Sequence, residues 1–324
     1  MSVSRRALFL FMAFVGSCVT VAQISAAEPV ETYPNREVHI IVPFSPGSIT
    51  DILARVLADK LGTSWHQTVI VENRPGMPGT ASVARSAADG YTLMVTSNGH
   101  TIAALVNKDL TFDPAADFTG VSQVASVPHA LIIPTDFPAK TVKEFIDLAK
   151  ANPGKYNFAS AGVASTSYLA GEYFRQTAKI DMVHVPFKGA PEAILSVIRK
   201  ESQLFFGGIN LVAQLHETGK VFAMAVATAK RSRALPDVPT VAESGLPQFA
   251  YDAWFGLMAP AHTPAPVVDK ISHDVAEVMR MPDVQSKLQA QGIDPVGNTA
   301  QEFNAILKTD FERYAKLWAA AARP

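Results

Sequence analysis

Residues 38–51 read VHIIVPFSPGSITD, and this stretch predicts how the fold begins. A short apolar run is typical of a buried strand. Pro43 and Pro46 end that strand. Gly47-Ser48 permits a tight turn, and Thr50-Asp51 can cap the helix that follows. Such a strand-turn-helix unit points backbone N–H groups and the positive end of a helix dipole at one place, so the stretch predicts a site for an anion.

The first 27 residues have the three parts of an export signal. Arg5-Arg6 gives a positive start, an apolar run follows, and small residues at the end provide a cleavage site. We therefore expect residues 1–27 to be removed on export. Two other signal types remain open. The arginine pair faintly resembles a twin-arginine signal, and Val15–Cys18 resembles a lipoprotein cleavage box that would anchor the protein through Cys18, although an ordinary signal is the favoured interpretation.

The composition narrows the class of protein. Cys18 is the only cysteine of the 324 residues, so the expected mature protein has neither disulfides nor thiolate chemistry. The length suits two domains with one core each. The net charge of −1, without a basic cluster, provides no electrostatic footprint for nucleic acid. We expect an exported monomer with a large core and no nucleic-acid partner.

Strands and helices alternate along the rest of the chain. This rhythm is typical of an α/β fold with a mainly parallel sheet covered by helices on both faces. Two sets of these units begin near residues 38 and 127 and look alike, which predicts two similar lobes that face one another. Capping boxes at Thr141–Glu144 and Thr299–Glu302 predict the starts of two helices, and a further helix is expected from about Thr80.

A second polar loop, Ser160–Ser167, connects a predicted strand and helix in the same way. It has four hydroxyl groups, one glycine and no charged side chain. A helix cap accounts for one hydroxyl. Several hydroxyls on a loop that faces residues 45–51 indicate contact with a ligand.

Three further candidates each allow two interpretations. Ser97–His100 is a polar loop at a strand end, where ligands of open α/β sheets bind, and His100 could meet a carboxylate or be a surface histidine. Lys188 could supply a positive charge to the cleft or be an ordinary lysine of a turn. Asp51 would repel an anion, so capping of its own helix is favoured over contact with a ligand ammonium or hydroxyl group.

Together these loops define the predicted binding site, whose residues are Phe44, Ser45, Gly47, Ser48, Thr50, Asp51, Ser97, Asn98, His100, Ser160, Ala161, Gly162, Thr166, Ser167 and Lys188. The sequence has no Gly-x-Ser-x-Gly elbow, phosphate-binding loop, clustered metal ligands or paired carboxylates. We therefore predict a binding protein without catalysis, metal or cofactor. An exported enzyme that uses Ser165, His100 and Asp51 as a loose triad is the alternative.

Six segments of the chain can be compared with known families: IVPFSPG (41–47), VENRPG (71–76), DGYTL (89–93), MVHVPFKG (182–189), ALPDVPTVAESG (234–245) and WFGL (254–257). In this combination and order they resemble the solute receptors of tripartite tricarboxylate transporters, the Bug family of periplasmic binding proteins. The resemblance covers essentially all of the chain after the signal.

The resemblance implies a type II periplasmic-binding-protein fold, in which two α/β lobes joined by crossing strands close over a ligand like a Venus flytrap. Lobe 1 is then expected to comprise residues 28–127 and 254–324, and lobe 2 residues 128–253. The implied function is capture of a dicarboxylate, tricarboxylate, acidic amino acid or aromatic carboxylate in the periplasm and its delivery to membrane transporter subunits. A receptor of the same fold that passes its liganded state to a signalling protein is the alternative.

The chain departs from the family pattern in places that bear on ligand identity. Ser48 stands where the family usually has a second glycine, so it is the residue of that loop expected to mark a changed specificity. A stiffer Met77-Pro78-Gly79 replaces a glycine-rich stretch, Tyr168 stands where histidine is frequent, and Phe206–Gly208 lacks an acid near the cleft.

Overall fold

The computed structural model describes residues 32–163 and 165–321. The predicted export signal, residues 1–27, lies outside this part of the chain. Among the described residues, no helix is both long enough and apolar enough to cross a membrane.

Strands and helices alternate through most of the described chain. The strands are β1 (Val38–Val42), β2 (Val69–Asn73), β3 (Thr92–Ser97), β4 (Phe118–Val127), β5 (His129–Ile133), β6 (Asn157–Ser160), β7 (Val183–Pro186), β8 (Phe205–Gly208), β9 (Phe222–Val226), β10 (Ala253–Pro260) and β11 (Asp294–Pro295). The α-helices are α1 (Ile49–Trp65), α2 (Met77–Ala84), α3 (Ala103–Val106), α4 (Val142–Ala151), α5 (Thr166–Ala178), α6 (Ala190–Ile198), α7 (Ile209–Glu217), α8 (Ala265–Arg280), α9 (Pro282–Gln289) and α10 (Ala300–Ala321). A 3₁₀ helix, Asn98–Ile102, precedes α3.

A large mixed sheet has the strand order β11-β4-β10-β3-β1-β2. β1 pairs in parallel with both β2 and β3, because α1 and α2 provide the crossovers that parallel strands need. β10 is antiparallel to β3 and β4, and β11 is antiparallel to β4. The predicted parallel sheet is therefore confined to one half of this sheet. The carboxyl ends of β2, β1 and β3 meet at one edge, and this edge positions the site described below.

A second sheet contains β8, β5 and β9 in antiparallel pairs. β6 and β7 form a parallel pair that a bridge between Phe158 and Leu204 joins beside β8. The chain passes from the large sheet to the small one between β4 and β5, and it returns just before β10. The largest buried apolar cluster includes residues of both sheets, among them Leu131 and Phe255.

Two elements differ from their predicted positions. α2 begins at Met77 instead of Thr80, because Pro78 is well tolerated in the first turn of a helix. Residues 97–100 are not an open loop, since Ser97 ends β3 and a buried 3₁₀ helix follows. The capping boxes at Thr141–Glu144 and Thr299–Glu302 are confirmed by reciprocal hydrogen bonds.

Candidate functional site

A cavity of about 220 Å³ lies between the loops of the large sheet and those of the β6–β7 pair. Its volume is below the range usual for drug-sized ligands, which favours a small occupant. The large sheet contributes the segments that follow β1, β2 and β3, and the β6–β7 pair contributes those that follow β6 and β7. The cavity is lined by Pro43, Phe44, Ser45, Pro75, Gly76, Met77, Thr80, Thr96, His100, Ala103, Phe112, Ala161, Gly162, Val163, Phe187 and Lys188.

The structure brings part of the predicted binding set to this cavity. The predicted residues that line it are Phe44, Ser45, His100, Ala161, Gly162 and Lys188. The predicted residues that do not line it are Gly47, Ser48, Thr50, Asp51, Ser97, Asn98, Ser160, Thr166 and Ser167. Many polar groups of the residues that do not line the cavity form hydrogen bonds that shape the loops.

The start of α1 satisfies its own polar groups. Ser48 is the N-cap, and its side chain accepts a hydrogen bond from the Asp51 N–H at 3.2 Å. Its Oγ also lies 2.8 Å from Oγ1 of Thr50. The predicted cap at Thr50-Asp51 is therefore wrong in position, because Ile49 already has helical geometry. Since the hydroxyl of Ser48 is used within the loop, the half of the loop that lines the cavity is 43–45.

Asp51 completes the first turn of α1. Its carboxylate accepts hydrogen bonds from Gly47 N–H at 2.9 Å, Asn73 Nδ2 at 2.9 Å and Arg55 Nε at 3.0 Å. Burial alone would raise the pKa of Asp51, but the hydrogen bonds from Arg55, Gly47 and Asn73 outweigh it and lower that pKa below its ordinary value. The ionised carboxylate compensates the positive end of the helix, which is the helix-stabilising role favoured for this residue.

The loop between β6 and α5 is also held by its own hydroxyls. Ser160 Oγ accepts from the Gly162 N–H at 3.1 Å and lies 2.7 Å from Nε2 of His184. Ser167 Oγ accepts from the Ala161 N–H at 2.9 Å. These hydroxyls shape the loop, and its residues Ala161, Gly162 and Val163 line the cavity.

α5 lacks the internal acid that α1 has. Ser165 caps it by accepting from the Tyr168 N–H at 3.2 Å, and its first turn contains no acidic residue. α6 resembles α1 instead, because Glu192 lies in its first turn and accepts from the Lys188 N–H at 3.2 Å. The positive end of α5 therefore has no acid of its own in the first turn, and the loop that enters this helix lines the cavity.

The third predicted loop is buried and internally bonded. Asn98 is fully buried and donates through Nδ2 to the Tyr251 hydroxyl at 3.0 Å and to the carbonyl of Asp252 at 3.3 Å. His100 donates through Nε2 to the carbonyl of Pro114 at 2.8 Å. Burial lowers the pKa of His100 to about 4. His100 is therefore neutral at pH 7 and adds no positive charge to the cavity.

Tyr251 connects groups from the two sides of the cavity. Its hydroxyl donates to the carbonyl of Thr166 at 2.7 Å and accepts a hydrogen bond from Nδ2 of Asn98 at 3.0 Å. Oγ1 of Thr166 lies 3.1 Å from Nε2 of His129, whose Nδ1 donates to the carbonyl of Val127 at 2.8 Å. Burial lowers the pKa of His129 to about 4, so its neutral Nε2 accepts from Thr166. This network links both segments that pass between the sheets.

Sequence reasoning missed the segment after β2. Gly76, Met77 and Thr80 line the cavity, as does Thr96 near the end of β3. A usable signal was present, because β2 is the parallel neighbour of β1 and its carboxyl end lies at the same sheet edge. Phe112 also lines the cavity, but it comes from an irregular segment whose position no sequence pattern predicts.

The charge around the cavity has one sign. Among the described lining residues, Lys188 carries the only full charge at neutral pH, and no carboxylate is present. Apolar walls come from Phe44, Phe112 and Val163. This arrangement can hold a small anion with an apolar body.

The alternative of a loose catalytic triad finds no geometric support in the described residues. Asp51, His100 and Ser165 each bind other partners, and no hydrogen bond joins any two of them. A separate group of possible metal ligands, His273, Asp274 and Glu277, lies on α8. Asp274 already accepts from Trp65 Nε1 at 2.6 Å and Lys270 Nζ at 2.8 Å, and the other two side chains are exposed.

Comparison with known proteins gives consistent similarities. The model of the tripartite tricarboxylate transporter family receptor matches residues 53–321. Protein BugT of Bordetella pertussis is 32% identical over 311 residues, which cover 94% of this chain and 95% of that protein.

Solved structures are similar over comparable lengths. MatC from Rhodopseudomonas palustris with bound malate is 31% identical, with a TM-score of 0.78 over 88% of this chain and 100% of that one. A second R. palustris protein, solved with adipate, is 30% identical, with a TM-score of 0.77 over 88% of this chain and 97% of that one. The periplasmic binding protein BugD is 33% identical, with a TM-score of 0.77 over 89% of this chain and 98% of that one. These similarities confirm the predicted fold class, two α/β lobes with a cleft between them.

Proposed function

Because the chain belongs to the family of tripartite tricarboxylate transporter receptors, we propose that it captures a small organic carboxylate in the periplasm and delivers it to the membrane subunits of such a transporter. The proposal includes export through the signal at residues 1–27. It also includes the division into lobe 1, residues 28–127 with 254–324, and lobe 2, residues 128–253.

The observation that carries the carboxylate assignment is the charge of the cavity. Lys188 is the one fully charged side chain among its described lining residues, and no acid opposes it. Ala161, Gly162 and Val163 also line the cavity, and they lead to the start of α5, whose first turn has no acid. A carboxylate bound here gains the attraction of Lys188 and of the helix dipole.

The apolar walls limit the rest of the ligand. Phe44, Phe112 and Val163 leave room for a short carbon chain or a single ring, in a volume of about 220 Å³. Malate and adipate, which the two R. palustris relatives hold, are small acids of this kind. This supports assigning the same broad ligand class to this chain.

We propose that the lobes close over the ligand by bending near residues 124–131 and 251–258. These segments carry the two passages between the sheets. Hinges of this type are a few residues at element ends that absorb the rotation.

The test is a thermal-shift screen of carboxylates, with protein unfolded and refolded to remove any bound ligand. A ligand present at 100 times its dissociation constant should stabilise the folded state by about 2.7 kcal/mol. Replacement of Lys188 by Met should weaken the affinity by about two- to fivefold, as expected for loss of one exposed charge pair. The control is Lys220→Met, which removes another exposed lysine that does not line the cavity. Absence of any response across the panel would refute the proposal.

A further inference from the structure

We propose that the N-terminus of α2, together with the hydroxyls of Thr80 and Thr96, forms a second carboxylate subsite in lobe 1. The inference rests on the proposed function, because it assigns the far end of the same ligand. It narrows the ligand to a dicarboxylate, held at one end by Lys188 and the loop that enters α5 and at the other end by α2.

The first observation is the open start of α2. Its N-cap is Gly76, with φ of 84°, and no side chain bonds to the N–H groups of the first turn. Pro78 has no N–H, and the Gly79 N–H donates to the carbonyl of Gly76 at 3.1 Å. The early donor that remains is the N–H of Met77, and Gly76 and Met77 both line the cavity.

The start of α2 lacks a negative charge of its own, as do those of α7 and α8, but α2 begins at the cavity. α1 and α6 carry Asp51 and Glu192 in their first turns, so each positive end has an acid of its own. α2 has no acidic residue in its first turn. A bound carboxylate would supply the missing negative charge.

The turn before α2 is held firmly in position. The Gly76 N–H donates to the carbonyl of Pro43 at 3.0 Å, and the Arg74 N–H donates to that of Val42 at 2.9 Å. A Cβ at Gly79 would lie 1.9 Å from the carbonyl oxygen of Arg74, so this close approach requires glycine. The donors of α2 are therefore fixed relative to the loop after β1.

The second, independent observation is a pair of largely buried threonines whose hydroxyls have no partner in the protein. Thr80 and Thr96 are 6% and 4% exposed, and both line the cavity. Neither hydroxyl forms a hydrogen bond with another described residue, whereas most predicted loop hydroxyls are already bonded. Thr80 follows Met77 by three residues, which places both on one face of α2. Asn157 Oδ1 and Gln176 Oε1 are the fully enclosed side-chain atoms without a partner among the described residues, so the hydroxyls of Thr80 and Thr96 are accessible from the cavity and free to donate to a ligand.

The chemistry of these groups selects a carboxylate. Hydroxyl and N–H groups near the positive end of a helix donate to an anion and disfavour a cation. A ligand whose far end is apolar would leave the hydroxyls of Thr80 and Thr96 unpaired. Sites with such polar groups discriminate strongly against ligands that cannot form hydrogen bonds with them.

The experiment compares matched acids that differ by one carboxylate: succinate with butyrate, adipate with hexanoate, and terephthalate with benzoate. Calorimetric titration of the wild type should give dissociation constants at least tenfold lower for the dicarboxylate of the pair that binds. Thr80→Val and Thr96→Val should each reduce that preference by tenfold or more while leaving the monocarboxylate affinity nearly unchanged. Lys188→Met should weaken both members of a pair.

The controls separate hydroxyl loss from disturbed folding. Thr80→Ser and Thr96→Ser keep the hydroxyl and should keep the preference, and Thr92→Val alters the same strand at a position outside the cavity. A dicarboxylate preference that survives both valine variants would overturn the subsite and leave the proposed function standing. Failure of the wild type to bind any carboxylate would overturn both.

Discussion

At the scale of single residues, the positive end of α1 is compensated by Asp51. This carboxylate accepts from Gly47, Asn73 and Arg55, and only the earlier part of the loop lines the cavity. We therefore infer that the Asp51 side chain stabilises the fold around the start of α1, while groups that face the cavity bind the ligand.

Asp51→Asn tests this assignment. Loss of the charge should lower the free energy of unfolding at pH 7 by about 1–2 kcal/mol, because a helix cap and charge-assisted hydrogen bonds are weakened. Since the folded-state pKa of Asp51 lies below its ordinary value of 3.8, the stabilisation is present above that value and is lost as the pH falls through the lower one. Urea unfolding at pH 7 and at lower pH should show the difference between the two proteins shrinking with acidity.

The affinity of this variant decides whether the assignment is right. Carboxylate binding by folded Asp51→Asn protein should stay within about twofold of the wild type. A loss of tenfold or more without destabilisation would show that Asp51 contacts the ligand.

The sequence predicts some of the residues that line the cavity and not others. Phe44, Ser45, His100, Ala161, Gly162 and Lys188 were identified from loops at strand ends, and they line the cavity. Whether a serine or threonine in such a loop turns inward or toward the cavity depends on its rotamer and neighbours, and spacing does not encode this. The hydroxyls of Ser48, Ser160 and Ser167 therefore bond within their loops, while Thr80 and Thr96 went unrecognised.

At the scale of elements, the alternation of strands and helices predicted the α/β fold because apolar periodicity is local. The antiparallel insertion of β10 between β3 and β4 was not predictable in the same way. β10 is distant in sequence from both partners, and pairing between remote strands leaves no local signal. This insertion is what returns the chain to the large sheet.

Tyr251→Phe tests the network beside the returning strand. Removal of the hydroxyl leaves the carbonyl of Thr166 and the amide of Asn98 without that partner, and both contacts are buried or partly buried. We expect the free energy of unfolding to fall by about 1–3 kcal/mol, as for unsatisfied buried polar groups. Tyr156→Phe makes the same chemical change where no hydroxyl hydrogen bond is formed among the described residues. Equal stability of the two variants in urea unfolding would contradict the role given to Tyr251.

At the scale of the whole molecule, the loops of the large sheet and those of the β6–β7 pair surround one cavity. The segments after β6 and β7 contribute Lys188 and the approach to α5, and the segments at the ends of β2 and β3 contribute the start of α2 with Thr80 and Thr96. A ligand that bonds to both sets stabilises the closed arrangement over an open one, because only the closed form makes all the contacts. We therefore expect the lobes to close when the carboxylate binds.

The most direct test is a crystal structure of the protein with the tightest-binding carboxylate of the panel. We expect density in the cavity between the lobes, with one carboxylate at Lys188 and Ala161–Gly162 and the other end at Thr80 and Thr96. Density for the ligand outside this cavity, or against a single lobe only, would contradict it.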